Sequence, residues 1–340
     1  MPDQSDTRAT SPYAGAPDRP VFVGACPRSG TTLLRTMLNS HPGLAVPRET
    51  RFLLGAWERR AVFGDLRRSG NRRKVAHWIA ERKDSGFKRL KVPADALANR
   101  LENAPPTIGS LLGACFEMYA EGQGKKRWGD KRPIYAQHLD AVFAMFADAQ
   151  FVNLVRDPRA AVASTRKLGW YDGDIVPAVD LWARSVRAAE SWRGRLAVDQ
   201  FHQVRYEDLV ADPRGVLEGI ATFAGLDPEG VSSMLSFYEN SDLPPSKKYH
   251  PLVSSPVTTA TTRAWQEQLG PDEVAFVEHA LGPTMQRYGY ERVAAGVTPP
   301  RDMQQRYTRV RRDQTRRRVR ERLYETKLRL TYRYPVAAER

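Results

Sequence analysis

Short runs of apolar and β-branched residues recur along most of this chain, separated by stretches with helical spacing. Five of these runs predict sheet strands: Val21–Ala25, Leu44–Val46, Arg127–Gly129, Phe151–Val155 and Phe201–Arg205. Helices are expected over Thr31–Ser40, about Ala178–Leu196, Pro213–Ala224 and Asp272–Tyr288. In the second of these, Val179, Trp182, Val186, Ala189 and Leu196 share one face. Strands alternating with helices build right-handed βαβ units, so the expected class is α/β, a mostly parallel sheet covered on both sides. Residues 55–125 are polar and poor in strands, and predict a mostly helical insertion beside the sheet. Residues 1–19 are polar and rich in Pro, Ser and Asp, and read as a disordered lead-in before a domain spanning 20–293.

In such sheets ligands gather at the carboxyl ends of the strands. Here those ends run into CPRSGTT, PRET, DK, RDPR and YED. Charged or phosphate-capable residues follow every candidate strand, so one sheet edge is a candidate anion site. Composition agrees: 53 Lys and Arg against 39 Asp and Glu give a net charge of +14. The excess is uneven, because residues 301–340 hold 14 basic and 5 acidic residues and carry +9 by themselves. What remains suits a domain that takes an anionic small molecule better than one that binds nucleic acid. The two cysteines, Cys26 and Cys115, lack metal-ligand spacing, and point to neither a zinc site nor a disulfide framework. No secretory signal or apolar membrane-length run is present, so a cytoplasmic location is expected.

The segment VFVGACPRSGTTLLRTML reads as a strand, a tight turn at Gly30 and a helix from Thr31. The amides of Ser29, Gly30, Thr31 and Thr32 then face outward at a helix start, where the dipole adds to their pull on an anion. Arg28 supplies a cation, and Thr31 and Thr32 supply hydroxyls. A plain helix cap is the competing reading. A nucleotide kinase would need Lys after the last Gly and a Ser or Thr for magnesium; here Thr31 follows Gly30. The loop therefore suits a phosphate-like group without a required metal.

PRSGTTLL resembles the 5′-phosphosulfate loop of sulfotransferases that use 3′-phosphoadenosine-5′-phosphosulfate (PAPS). FVNLVRDPRAAVAST is similar to their 3′-phosphate segment, with Arg156 at the strand end and Ser164 eight residues on. The resemblance runs from about Pro20 to Tyr290, loosely over 55–125, and implies a P-loop NTPase-like sheet flanked by helices. It also implies transfer of a sulfuryl group from PAPS, which leaves as adenosine 3′,5′-bisphosphate (PAP), to an acceptor hydroxyl. By itself, Arg156 next to Asp157 could equally be a local ion pair.

Glu49 is the candidate base. The first helix rises roughly 15 Å over its ten residues, His41-Pro42-Gly43 turns the chain, and the strand from Leu44 returns Glu49 to the phosphate-loop edge. Arg28 and Arg51 nearby would keep it ionised. PRETR also resembles the catalytic carboxylate region of tyrosylprotein sulfotransferases, while a surface pairing with Arg48 or Arg51 is the plainer alternative. His41 and His250 are weaker bases in this scheme: the first lies at the far end of its helix, the second in a Pro-bounded loop. The resemblance further implies Lys131 at the bridging oxygen, Tyr206 at the nucleotide and Arg263 at the 3′-phosphate; a surface lysine and a buried, capped tyrosine are the plainer alternatives for the first two. Residues 241–262, with many Ser, Thr and Pro residues, could form a loop that closes over the cofactor. The acceptor stays open between a sugar, glycolipid or small metabolite and the tyrosine of a peptide.

Residues 301–333 lack Gly and Pro and are rich in Arg, which predicts a long basic helix within a tail from 294 to 340. Val319, Leu323, Leu330 and Tyr334 are expected on one face. Such a helix could pack on its own domain, join a homodimer or touch an anionic membrane surface. Nucleic acid is not expected without a reading motif. Two rival functions remain: a P-loop kinase, and a non-catalytic membrane-surface or partner-binding protein.

Overall fold

The computed structural model describes residues 19–168, 171, 173–239 and 255–339. The expected lead-in, His250 and most of the closing loop lie outside them. Five parallel strands form the sheet: β1 (Val21–Ala25), β2 (Leu44–Ala45), β3 (Arg127–Lys131), β4 (Gln150–Val155) and β5 (Phe201–Arg205), in the order β2-β3-β1-β4-β5. The register sets Val21 beside both Gly129 and Gln150, and Phe151 beside Phe201.

Helix α1 (Thr31–Ser40) links β1 to β2. Helices α2 (Phe52–Glu58), α3 (Arg60–Phe63), α4 (Ser69–Glu81), α5 (Ala94–Glu102) and α6 (Ile108–Glu121) lie between β2 and β3. A 3-10 turn, Pro133–Gln137, and α7 (Leu139–Met145) lead to β4; α8 (Pro158–Arg166) and α9 (Ile175–Arg193) lead to β5. The chain continues through α10 (Tyr206–Ala211), α11 (Pro213–Ala224), α12 (Val231–Leu235), α13 (Trp265–Gln268), α14 (Pro271–Arg287) and α15 (Arg301–Thr331). The α/β class and parallel sheet expected from the sequence are therefore present.

Alternation along β1 shows how the sheet is buried on both faces. Phe22 packs with Trp128, Tyr135 and Phe146 on the side of α2 to α7, while Val21, Val23 and Ala25 pack against α1 and α10 to α12. Each fully buried large side chain contributes about 1.5–3 kcal/mol. A third cluster joins α8, α9 and α14 around Trp182 and Phe276.

Three boundaries differ from expectation for local reasons. β2 ends at Ala45 because Val46 leaves the ladder: its amide donates to Asn39 Oδ1 and its carbonyl accepts from buried Arg35. β3 runs two residues further, to Lys131, because its polar residues find buried partners across the fold. α9 starts at Ile175 because Asp174 caps it, accepting from the Val176 amide.

The 31-residue α15 is roughly 46 Å long. Arg306 pairs with Asp174 at 3.1 Å, and buried Arg60 pairs with Glu325 at 2.6 Å. Beyond the helix, the Gly109 amide donates to the Val336 carbonyl and the Ala338 amide to the Met145 carbonyl. Met303, Leu328 and Tyr332 are buried. The face expected to be apolar points the other way: Val319, Leu323 and Leu330 are all exposed. At 100° per residue, Val319 lies roughly 160° around the helix from Met303.

Candidate active site

All strands being parallel, their carboxyl ends share one edge, and a cavity of about 1000 Å³ opens there. Its lining draws on every segment that follows a strand, from Arg28 after β1 to Tyr206 after β5.

After β1 the chain turns through two left-handed residues, Arg28 (φ 69°) and Gly30 (φ 94°). Only glycine fits at position 30, because a Cβ there would come within 2.3 Å of the Tyr206 ring. α1 begins with no side-chain cap, so its first amides are left for a ligand. Ser29 is fully buried, and its hydroxyl has no hydrogen-bond partner among the described residues. Ser29 is outside the cavity lining, and its amide donates to the Cys26 carbonyl at 3.3 Å. Of the expected cradle it is therefore Gly30, Thr31 and Thr32, with Arg28, that face the cavity and fit a phosphate or sulfate oxygen.

Two guanidinium groups and a hydroxyl close the other side of the turn. Arg28 Nε donates to Ser164 Oγ at 3.1 Å, and Arg156 donates to the Arg28 carbonyl at 3.0 Å and the Thr261 carbonyl at 2.9 Å. Arg156 lies 4.3 Å from the Tyr206 ring centroid, and its Nε is buried without a partner among the described residues. Asp157 does not pair with Arg156. It caps α8 and pairs at 2.7 Å with Arg159, which leaves Arg156 facing the cavity. Burial, together with the neighbouring Arg156 charge, lowers the Arg28 pKa. An anion between these cations would remove that repulsion.

At the β2–β3 end of the edge, Lys131 Nζ stands 3.3 Å from Glu49 Oε2. Lys131 is buried and Glu49 half-buried. Burial pushes the Lys131 pKa down, and the Glu49 carboxylate opposes it. Glu49 therefore pairs with Lys131, not with Arg48 or Arg51. Arg51, exposed, also lines the cavity. Tyr206 is buried, with its hydroxyl 2.9 Å from Thr261 Oγ1.

Arg28, Gly30, Thr31, Thr32, Glu49, Arg51, Lys131, Arg156, Ser164 and Tyr206 thus line one cavity. Arg263 does not: it is exposed, while its neighbours Thr261, Ala264 and Trp265 form part of the lining. His41 lies at the far end of α1, bonded to the Gly43 amide and the Asp227 carbonyl.

A fully buried carboxylate, Asp130 of the DK segment, supports the Glu49 side although the sequence assigns it no role. Asp130 Oδ2 accepts from Thr50 Oγ1 at 2.9 Å and from the Tyr135 hydroxyl, while Oδ1 has no partner among the described residues. Burial pushes its pKa up to about 6. The folded chain therefore holds a proton on Asp130 more tightly than the unfolded chain does. Stability falls as pH rises from about 4 to about 6, and the cost is fully present above that window. Asp130→Asn removes this titration. Thermal melts at pH 4 and pH 6 should show the melting-temperature difference shifting in the variant's favour at the higher pH; a constant difference would contradict the assignment.

A model of the sulfotransferase family matches residues 20–229. The chain is 25% identical over 283 residues to a protein-tyrosine sulfotransferase of Drosophila melanogaster, covering 80% of this chain and 51% of that one. It is also 25% identical over 231 residues to the nodulation protein NoeE of Sinorhizobium fredii, covering 62% of this chain and 51% of that one. It spans about half the length of these two relatives. Among solved structures, the sulfotransferase domain of the Synechococcus olefin synthase superimposes with a TM-score of 0.58 at 25% identity, over 83% of this chain and 98% of that one. The chain belongs to the sulfotransferase family. The enzyme class and the PAPS co-substrate expected from the sequence agree with that membership, which favours neither the kinase nor the non-catalytic alternative.

Proposed function

We propose that this protein transfers the sulfuryl group of PAPS to an acceptor hydroxyl by direct in-line displacement. The observation that carries the reading is the convergence of two clusters on one cavity: the Glu49–Lys131 pair, and Arg28, Ser164 and Arg156 around the α1 turn. The turn at Gly30, Thr31 and Thr32 holds the 5′-phosphosulfate, with Ser29 buried beneath it. Arg156, Ser164 and Tyr206 hold the nucleotide and its 3′-phosphate; Arg263, outside the lining, has the weakest support.

Glu49 takes the acceptor proton as the acceptor oxygen bonds to sulfur. The bond from sulfur to the phosphate oxygen breaks, and PAP leaves with the electron pair. Arg28 and Lys131 stabilise the charge that develops on that oxygen. The lowered pKa of Lys131 suits it to give a proton to the leaving group. Arg51, at the mouth, adds positive potential next to Glu49.

Thr50, bonded to Asp130, fixes the backbone next to Glu49 and acts as a positioning residue. Thr50→Val should lower kcat about tenfold, in line with the loss of a buried hydrogen bond worth about 1–3 kcal/mol, while PAP affinity is kept. Thr50→Ser should restore it. Equal losses in both variants, or a loss confined to KM, would remove Thr50 from this role.

The proposal includes a cytoplasmic enzyme. Both cysteines are free and buried, and burial pushes Cys26 up to about 12, which supports structural thiols. No described helix is long and apolar enough to cross a membrane. The outward face of α15, with Val319, Leu323 and Leu330 among many arginines, is the surface for any contact with an anionic membrane or a second copy. Incubation with PAPS labelled in the sulfuryl group and an extract of the host should label a hydroxyl compound without added magnesium. Labelling that depends on Lys131 and Glu49 supports the proposal; labelling unaffected by their loss contradicts it.

A further inference from the structure

The cavity has a second half that the donor does not account for, and the tail builds part of it. The nucleotide groups follow β1, β4 and β5, whereas Lys131 leads directly into Arg132, Pro133 and Ile134, which line the cavity on the Glu49 side. The turn carrying Ile134 is tied to α9: Gln137 Nε2 donates to Ser185 Oγ at 3.0 Å, and Arg184 donates to Gln137 Oε1 at 2.7 Å. α9 contributes Pro177 and Leu181 to the same wall. α15 lies against α9, and its Val310 and Gln314 complete the lining.

This wall carries an apolar strip, Ile134, Tyr171, Leu181 and Val310, with Arg132, Lys167 and Gln314 at its margins. Leu181, Tyr171 and Val310 are half-buried and pack on the cluster around Trp182 and Phe276. Arg184, behind the strip, is held by Asp180 at 2.6 Å and by Gln137. The apolar strip itself offers no donors or acceptors to the many hydroxyls of a sugar, whose desolvation against it would go uncompensated.

We propose that α15 is a specificity element of the active site, and that the wall it completes through Val310 selects an acceptor whose hydroxyl sits on an apolar aryl or alkyl body. The inference rests on the sulfotransferase reading of the cavity and narrows its acceptor class. Apolar area gained against Val310, Leu181 and Ile134 holds the acceptor body while its hydroxyl meets Glu49. α15 is held at both ends by the Arg306–Asp174 and Arg60–Glu325 pairs, so Val310 is presented from a fixed support.

The test is equilibrium titration of the full chain, saturated with PAP, with two product-like probes: 2-naphthyl sulfate and glucose 6-sulfate. 2-Naphthyl sulfate should bind at least tenfold more tightly. Val310→Asp should weaken it by about tenfold or more while the Kd for PAP changes less than twofold. Val310→Phe, which narrows the same wall without adding charge, should also weaken it and serves if the Asp variant does not fold. Equal or tighter binding of glucose 6-sulfate, or unchanged 2-naphthyl sulfate binding in a folded variant, would overturn the inference. Failure of the unmodified protein to bind PAP would instead overturn the donor reading on which it rests.

Discussion

Glu49→Gln should fold normally, bind PAP within about twofold of the unmodified protein, and lose roughly 10²- to 10⁴-fold in kcat. That range is what a positioned general base contributes. Gln keeps the shape and can still accept a hydrogen bond from Lys131, which stands 3.3 Å away. It cannot take a proton, so the loss should fall on kcat and not on nucleotide affinity. Single-turnover sulfuryl transfer from PAPS, with PAP binding in parallel, separates the two. Near-normal turnover would remove Glu49 as the base.

Arg156→Ala should instead act on binding. The side chain lies between the Arg28 carbonyl, the Thr261 carbonyl and the Tyr206 ring, and lines the cavity. Loss of its charged contacts to a 3′-phosphate should weaken PAP by about 3–4 kcal/mol, roughly 10²- to 10³-fold in Kd. Arg156→Lys keeps the charge but not the forked geometry, and should recover only part of the loss. Adenosine 5′-phosphosulfate, which lacks the 3′-phosphate, should bind both variants much as it binds the unmodified protein. An equal loss for that ligand would indicate damage to the loop instead of a 3′-phosphate contact.

Local pattern made much of this architecture readable, and tertiary partners explain the rest. The ends of α1 and α11 were legible because Gly30 and Asp212 precede them and no competing contact moves them. β3 gave a weak signal because its buried residues include Arg127, Asp130 and Lys131, whose partners Gln150, Thr50 and Glu49 are distant in sequence. The Glu49–Lys131 meeting could be anticipated on the Glu49 side from the length of α1 and the return strand. The Thr50–Asp130–Tyr135 cluster could not: Thr50 and Asp130 fall within PRET and DK, but neither period nor motif joins them to each other or to Tyr135.

On α15, the brief apolar spacing of Val319, Leu323 and Leu330 drew attention to what is the exposed side. The packed face carries an equally regular signal in Met303, Tyr307 and Val310, spaced four and three apart. Arginines between and after these residues obscure it, and long polar side chains at helix surfaces leave hydropathy a poor guide. Arg263 shows the limit of carrying a role by motif: the cavity takes Thr261, Ala264 and Trp265 from that segment, while Arg263 itself faces solvent.

The most direct measurement of the central claim is a calorimetric comparison of PAP and ATP on the full chain, each with and without magnesium. The two-cluster cavity predicts that PAP binds without magnesium, and at least 100-fold more tightly than ATP under either condition. Tighter binding of ATP with magnesium than of PAP would contradict it.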